Sequence, residues 1–253
     1  MKILISDLDG TIYRNKNVLA PDLKKLNEFI VENMLVIATG RNEFSFSFFT
    51  NQFDLSYSYV ILCNGALIKD KNHQTIIQHS FNKIDDILQI FKIIDQFQKY
   101  QISVSLSFED GILNFPKYQS KFYEQIKTNL NYGVIGIAIE IVNCSIAVVD
   151  KLYQQLPKDL SFCVERNNQY IDIIPKGISK KSAIIELMNK YNFNKNDIYM
   201  IGDYYNDLSM FEINDNSFII NNDIEELNNS AKYVVDSICD CIDIINNENN
   251  IKK

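Results

Sequence analysis

Histidine is nearly absent from this chain: only His73 and His79 occur, both in a turn-like stretch far in sequence from the acidic clusters. Serine–histidine and cysteine–histidine triads are therefore poorly supported, and each ring reads as a solvated loop residue. Cysteine is sparse too, and five copies form no even framework, which suits reduced thiols better than disulfides. Cys239 and Cys241 make a lone Cys-x-Cys with no second cluster to complete a zinc site. No stretch approaches the roughly 20 apolar residues of a membrane span, and Met1-Lys2 leads straight into an apolar run rather than a signal peptide. A cytoplasmic protein with no membrane partner is expected. Positive charge is also in short supply, with 25 Lys and Arg against 32 Asp and Glu and a net charge of -7. That balance argues against a nucleic-acid partner, because backbone phosphates need a basic face. Arginine is limited to Arg14, Arg41 and Arg166.

What the chain does hold is apolar residue, 46% of 253, enough to bury a substantial core in one or two domains. Apolar runs near 2–6, 34–38 and 59–63 alternate with a helix opening at Pro21 and another after Asn42, the rhythm of a parallel sheet. The Phe-rich run from Phe44 to Phe53 belongs to that second helix and reads as packing surface. After residue 81 the rhythm changes. Ile84, Ile87, Leu88, Phe91, Ile94 and Phe97 recur at helical spacing behind a candidate Asn82 cap. Alternating runs at 103–108 and 112–115 follow, then a helix near 120–131, a strand within 136–148 and a helix before Pro157. Strands at 162–165 and 170–174 flank a turn at Asn167-Asn168, a hairpin. The expected fold is α/β: a Rossmann-like parallel sheet core with helices on both faces, residues 1–81 and 175–253, interrupted by an inserted α/β cap domain at 82–174. The Asn-rich tail from 246 to 253 is expected to fray.

Chemistry gathers where the apolar runs end. Ile3-Leu4-Ile5 leads directly into Asp7-Leu8-Asp9-Gly10-Thr11. Residues two apart on a strand share a face and lie about 6.5 to 7 Å apart. Asp7 and Asp9 can therefore meet one crevice at the strand's carboxyl end, where open α/β sheets bind ligands. Gly10 can turn sharply and bring bare N–H groups near an anion. Two carboxylates this close require a cation, a shared proton or a positive side chain.

A second strand, from Met34, ends in Thr39-Gly40-Arg41: a hydroxyl that can donate to a phosphate oxygen, a glycine and a cation. Arg forks suit phosphate, and a surface ion pair is an equal alternative for Arg41. A third strand, from Ile198, ends in Gly202-Asp203, with Asn206 and Asp207 one turn later. A hard cation such as Mg2+ takes one or two carboxylates plus water and phosphate oxygens, which suits Asp7 with Asp203. Lys180 falls in the inward stripe with residues 183, 184, 187, 188 and 191 of a helix opening near Ser179, whereas Lys181 is rotated roughly 100° away. An inward lysine at a helix start opposes the macrodipole and calls for an anion. Arg166, beside the hairpin turn, reads as solvated rather than as reaching over the site.

In type, order and spacing these four segments, with Ala38-Thr39-Gly40-Arg41 and Cys63-Asn64-Gly65-Ala66, resemble the signature set of the haloacid dehalogenase-like phosphohydrolase superfamily, in its Cof-type, subclass IIB branch. The resemblance implies that Asp7 is a nucleophile and Asp9 a general acid/base. It implies that Thr39 and Lys180 bind the phosphoryl group, with Gly40, Arg41 and Asn206 completing the phosphate-binding set. Asp203 would hold Mg2+ with Asp7 and the Asp9 carbonyl, and Asn206 and Asp207 would support the metal site and Lys180. The expected activity is a Mg2+-dependent phosphatase of a small-molecule phosphate ester. A cap that closes over the strand ends, rich in Asn, Gln, Ser and Tyr, favours sugar phosphates. A phosphomutase or phosphotransferase using the same aspartyl-phosphate, or a non-catalytic phosphometabolite-binding regulator, are the alternatives.

Overall fold

The computed structural model describes residues 1–158, 160–167 and 169–251. An eight-stranded sheet runs in the spatial order Tyr233–Val235, Ser217–Ile220, Ile198–Gly202, Ile3–Ser6, Met34–Ala38, Tyr59–Leu62, Leu67–Asp70, Thr75–Gln78. The first six strands are parallel and the last two antiparallel. All four residues of Ile3–Ser6 are buried, as befits a central strand covered on both faces. Strand alternation divides them: Leu4 enters a cluster with Phe29, Phe46 and Ile242, while Ile3 and Ile5 join Ile184, Met200 and Met210 on the other face.

The helix expected at Pro21 spans Ala20–Phe29, and the one after Asn42 spans Glu43–Gln52, where Asn42 accepts from the Ser45 N–H as a cap. Only part of its Phe run is packing surface. Phe46 and Phe49 are buried, but Phe44 and Phe48 are exposed and meet edge to face at 4.9 Å. The sheet is also not wholly parallel, since Leu67–Asp70 and Thr75–Gln78 extend it as an antiparallel hairpin. Asp70 ties their turn by accepting from the N–H groups of Asn72 and Gln74. These short strands carry no clear alternation, so they merge with the preceding apolar run in the sequence. His73 is an exposed loop residue as expected, 3.4 Å from Glu43, whereas His79 is half-buried with its Nε2 2.9 Å from Glu186 Oε2.

Between these core segments stands a five-stranded antiparallel sheet, ordered Phe162–Asn167, Tyr170–Pro175, Gly136–Val142, Gln101–Phe108, Gly111–Phe115. One face, with Val104, Ile139 and Ile171, packs under the helices Ile84–Ile94, Tyr123–Leu130 and Ile146–Gln155. The other face is polar. In one row across the register stand Glu165, Asp172, Ala138, Ser105 and Asn114. This polar face meets the carboxyl ends of the larger sheet. Asn42 Nδ2 donates to Ser107 Oγ at 3.3 Å, Gly136 lies against Cys63, and Asn64 Nδ2 donates to Asp172 Oδ2 at 3.4 Å.

Asn82 is not the cap of the long helix, which opens at Ile84 behind Lys83 with no side-chain cap; Asp85 and Asp86 in its first turn suit the macrodipole instead. The tail expected to fray is helical from Ile238 to Ile251. Lys252 and Lys253, and Asn168 of the expected hairpin turn, lie outside the described residues. Among the described residues no helix is long and apolar enough to cross a membrane.

Candidate active site

Asp7 leaves the end of the first strand with its N–H donating to the Ile201 carbonyl at 2.9 Å, so the neighbouring strand fixes its direction. The side chain is buried. Its Oδ1 accepts from Lys180 Nζ at 2.5 Å, whereas Oδ2 is buried with no hydrogen-bond partner. Burial and then the Asp207 charge push the Asp7 carboxyl well above the usual range, against the pull of Lys180.

Lys180 is the first residue of the helix Lys180–Tyr191, whose start is secured by a reciprocal cap between Ser179 and Ser182. Its ammonium is buried between Asp7 and Asp207, the latter at 2.7 Å. Burial alone lowers a lysine pKa, but Asp207 and Asp7 together outweigh it and raise this one. One residue on, Lys181 reaches Glu212 at the surface, as the helical phase requires.

Asp207 is fully buried and committed. Its Oδ1 holds Lys180, and its Oδ2 accepts from the N–H groups of Asp203 and Tyr204, locking the turn after Ile198–Gly202. That turn packs so closely that a Cβ on Gly202 would lie 2.5 Å from the Asp207 side chain. Asp203 in turn accepts from Thr11 Oγ1 at 3.2 Å, and burial, then Asp207, push its carboxyl up to about 7. Gly10 is required here twice over. Its φ is +94°, and a Cβ would meet Asp203 Oδ2 at 2.0 Å.

Carboxylate oxygens of Asp7, Asp203 and Asp207 lie within 4.8 Å of one another. Three acids against one ammonium leave excess negative charge, and Asp7 Oδ2 is an unused buried acceptor. An all-oxygen donor set with that charge fits a hard divalent cation.

Asp9 stands outside this cluster. Arg41 grips it through Nε at 2.8 Å and Nη2 at 2.6 Å, and the guanidinium lies over Tyr13 at 5.1 Å and Phe49 at 5.7 Å. Thr39 is buried and its Oγ1 accepts from the Arg41 N–H, leaving its own proton to donate. Gly40 lies against Asn64, whose Oδ1 would sit 3.1 Å from a Cβ there. Asn206 is half-buried on the turn Tyr205–Asp207.

Two arginines have structural partners. Arg14 pairs with Asp22 and donates to the Asp236 carbonyl. Arg166 is not left to solvent: strand alternation turns it to the helix side of its sheet, 2.8 Å from Asp150. Its neighbour Glu165 takes the opposite, polar face, across from Asp172. Glu165, Asp172, Asn64 and Thr11 were not recognised in the sequence as site residues. Only the cross-strand register brings the first two together, and no local spacing signals it.

Comparison with known proteins places the chain in a family. Residues 4–242 match the family model of haloacid dehalogenase-like hydrolases. An uncharacterised protein of Mycoplasma capricolum is 30% identical, over 94% of this chain and 97% of its own length. The 5-amino-6-(5-phospho-D-ribitylamino)uracil phosphatase YwtE of Bacillus subtilis is 25% identical, over 94% and 93%. Among solved structures, TM0651 from Thermotoga maritima superposes with a TM-score of 0.75 at 20% identity, covering 95% of this chain and 96% of the other. A subclass IIB sugar phosphatase superposes with a TM-score of 0.71 at 18% identity, covering 95% of each. The chain belongs to the haloacid dehalogenase-like hydrolase family, in its Cof-type branch, and is a phosphoric monoester hydrolase.

Proposed function

We propose that the protein is a Mg2+-dependent phosphatase of small phosphorylated metabolites, sugar or sugar-like polyol phosphates foremost, acting through an aspartyl-phosphate on Asp7. The observation that carries this reading is Asp7 itself: buried at a strand end, one oxygen held by Lys180 and the other without a partner. A carboxylate so placed can attack phosphorus and split one difficult displacement into two easier ones. Lys180 and the Thr39 hydroxyl bind the phosphoryl oxygens. Asp9, oriented by Arg41, protonates the leaving alkoxide and later takes a proton from the attacking water. Asp7, Asp203 and the main-chain carbonyl of Asp9 would hold the Mg2+, which when bound offsets the charge on the phosphoryl oxygens.

The unit at 82–174 acts as a cap that excludes water and admits only small esters. Two comparisons support that size class: one relative is described as acting on a phosphorylated ribitylaminouracil and one structural neighbour as a sugar phosphatase. The test is incubation with hexose phosphates, a pentitol phosphate and a phosphoprotein, with and without Mg2+. Free phosphate is measured, and acid-quenched enzyme is mapped by peptide mass spectrometry. Mg2+-dependent phosphate release with transient phosphorylation of Asp7 is expected. An isomerised ester, binding without turnover, or preference for the phosphoprotein overturns the reading.

A further inference from the structure

Glu165 and Asp172 are directly opposed on neighbouring antiparallel strands. Like charges in that position destabilise a sheet. Here the cost is compounded, because among the described residues Glu165 Oε2 is buried with no hydrogen-bond partner, and the Asp172 carboxylate has only the long contact from Asn64. Burial raises the pKa of both groups, and Glu165 adds to the effect on Asp172. The Lys180 charge pulls both the other way.

The opposite wall supplies an independent observation. Asn64 is 4% exposed, and its Oδ1 is buried without a partner. The residue cannot easily turn away: its backbone is left-handed at φ 51°, and its N–H donates to the Thr39 carbonyl at 3.1 Å. An unused acceptor therefore sits between the Thr39 end of the site and the ceiling carboxylates. The same cross-strand row continues with the small side chains of Ala138 and Ser105. Among the described residues this face carries no lysine or arginine, Arg166 having gone to the other side.

Buried acceptors with no donors call for a ligand that brings donors. We infer that Glu165, Asp172 and Asn64 form a leaving-group subsite that accepts hydrogen bonds from hydroxyl or ammonium groups, selecting polyol and amino-sugar phosphates over esters bearing a second anionic group. The subsite rests on the phosphatase reading and names which end of the ester the cap reads. A second phosphate or carboxylate would meet like charge there, with no lysine or arginine on that face to offset it among the described residues.

The test compares kcat/KM for ribitol 5-phosphate, glucosamine 6-phosphate, fructose 1,6-bisphosphate and p-nitrophenyl phosphate in the wild type, Glu165→Gln, Asp172→Asn and Glu165→Lys. The wild type should prefer the first two to the bisphosphate by about 10-fold or more. Either neutral variant should lower the ratio of ribitol phosphate to aryl phosphate by about 10- to 100-fold, the scale of hydrogen bonds to charged groups. Glu165→Lys should move preference toward the bisphosphate. The ratio is independent of the fraction of active protein. An unchanged ratio in both neutral variants, or a wild-type preference for the bisphosphate, overturns the subsite. Calorimetric binding of ribitol 5-phosphate to Asp7→Asn, with and without Glu165→Gln, separates the two readings. If no ester is hydrolysed, the phosphatase reading fails, while a Kd about 10-fold weaker in the double variant upholds the subsite and an equal Kd removes it.

Discussion

Arg41 holds both carboxylate oxygens of Asp9 in a two-point fork while its guanidinium rests on the Tyr13 and Phe49 rings. A planar cation braced on two sides is preorganised, and lysine cannot reproduce the fork. Arg41→Lys should therefore lower kcat by about 10-fold and change KM by less than about 3-fold. Steady-state kinetics decide it: a raised KM with unchanged kcat would transfer Arg41 to substrate binding.

Asp7→Asn should abolish detectable turnover while leaving the circular dichroism spectrum intact, because Asp207 still pairs with Lys180. Full activity in the purified variant would remove Asp7 as the nucleophile.

Lys180→Ala should cost about 3–5 kcal/mol, because it leaves Asp7 and Asp207 buried without a counter-charge. Its kcat should also fall severely. Lys181→Ala breaks an exposed pair with Glu212 and should cost under about 1 kcal/mol with near-normal turnover. Urea unfolding and kinetics on both variants test the contrast, which equal losses would contradict.

Mg2+ should raise the melting temperature, since a cation bound only by the folded acidic cluster stabilises it by about 2.7 kcal/mol at 100 times its Kd. Asp203→Asn should shrink that shift and weaken Mg2+-dependent activity together. Identical melting curves in Mg2+ and in chelator would remove the divalent site.

Asp172 gives a pH signature. Burial and Glu165 push its carboxyl up to about 7, so between about pH 4 and 7 the folded state keeps a proton that the unfolded state releases. Stability is lost as pH rises through that window and stays lost above it. Asp172→Asn should thus melt about 2–8 °C above the wild type at pH 8, with the gap closing near pH 4. A gap independent of pH would show that the carboxylate is not the cause.

Much of the core was legible because its signals are local. The buried strands Ile3–Ser6 and Met34–Ala38 stand close to where their apolar runs place them, and a 3.6-residue period separates Lys180 from Lys181. The antiparallel hairpin of Leu67–Asp70 and Thr75–Gln78 escaped notice because strands of four residues carry too little alternation to stand out. The partners of Arg41 and Arg166 were equally hidden: Asp9 lies 32 residues from the first, and which face the second takes depends on a strand register.

The sequence by itself determined that acids and a hydroxyl end buried strands and that a lysine opens a helix, since hydrophobic period and turn chemistry are written residue by residue. Tertiary structure alone decided how those groups share charge. Asp7 and Lys180 are 173 residues apart, and only folding buries them together. It also decided that Glu165 stands opposite Asp172 and that Asn64 reaches Asp172 from the other sheet. Cross-strand register and the meeting of two sheets set that arrangement, and neither leaves a period in the chain.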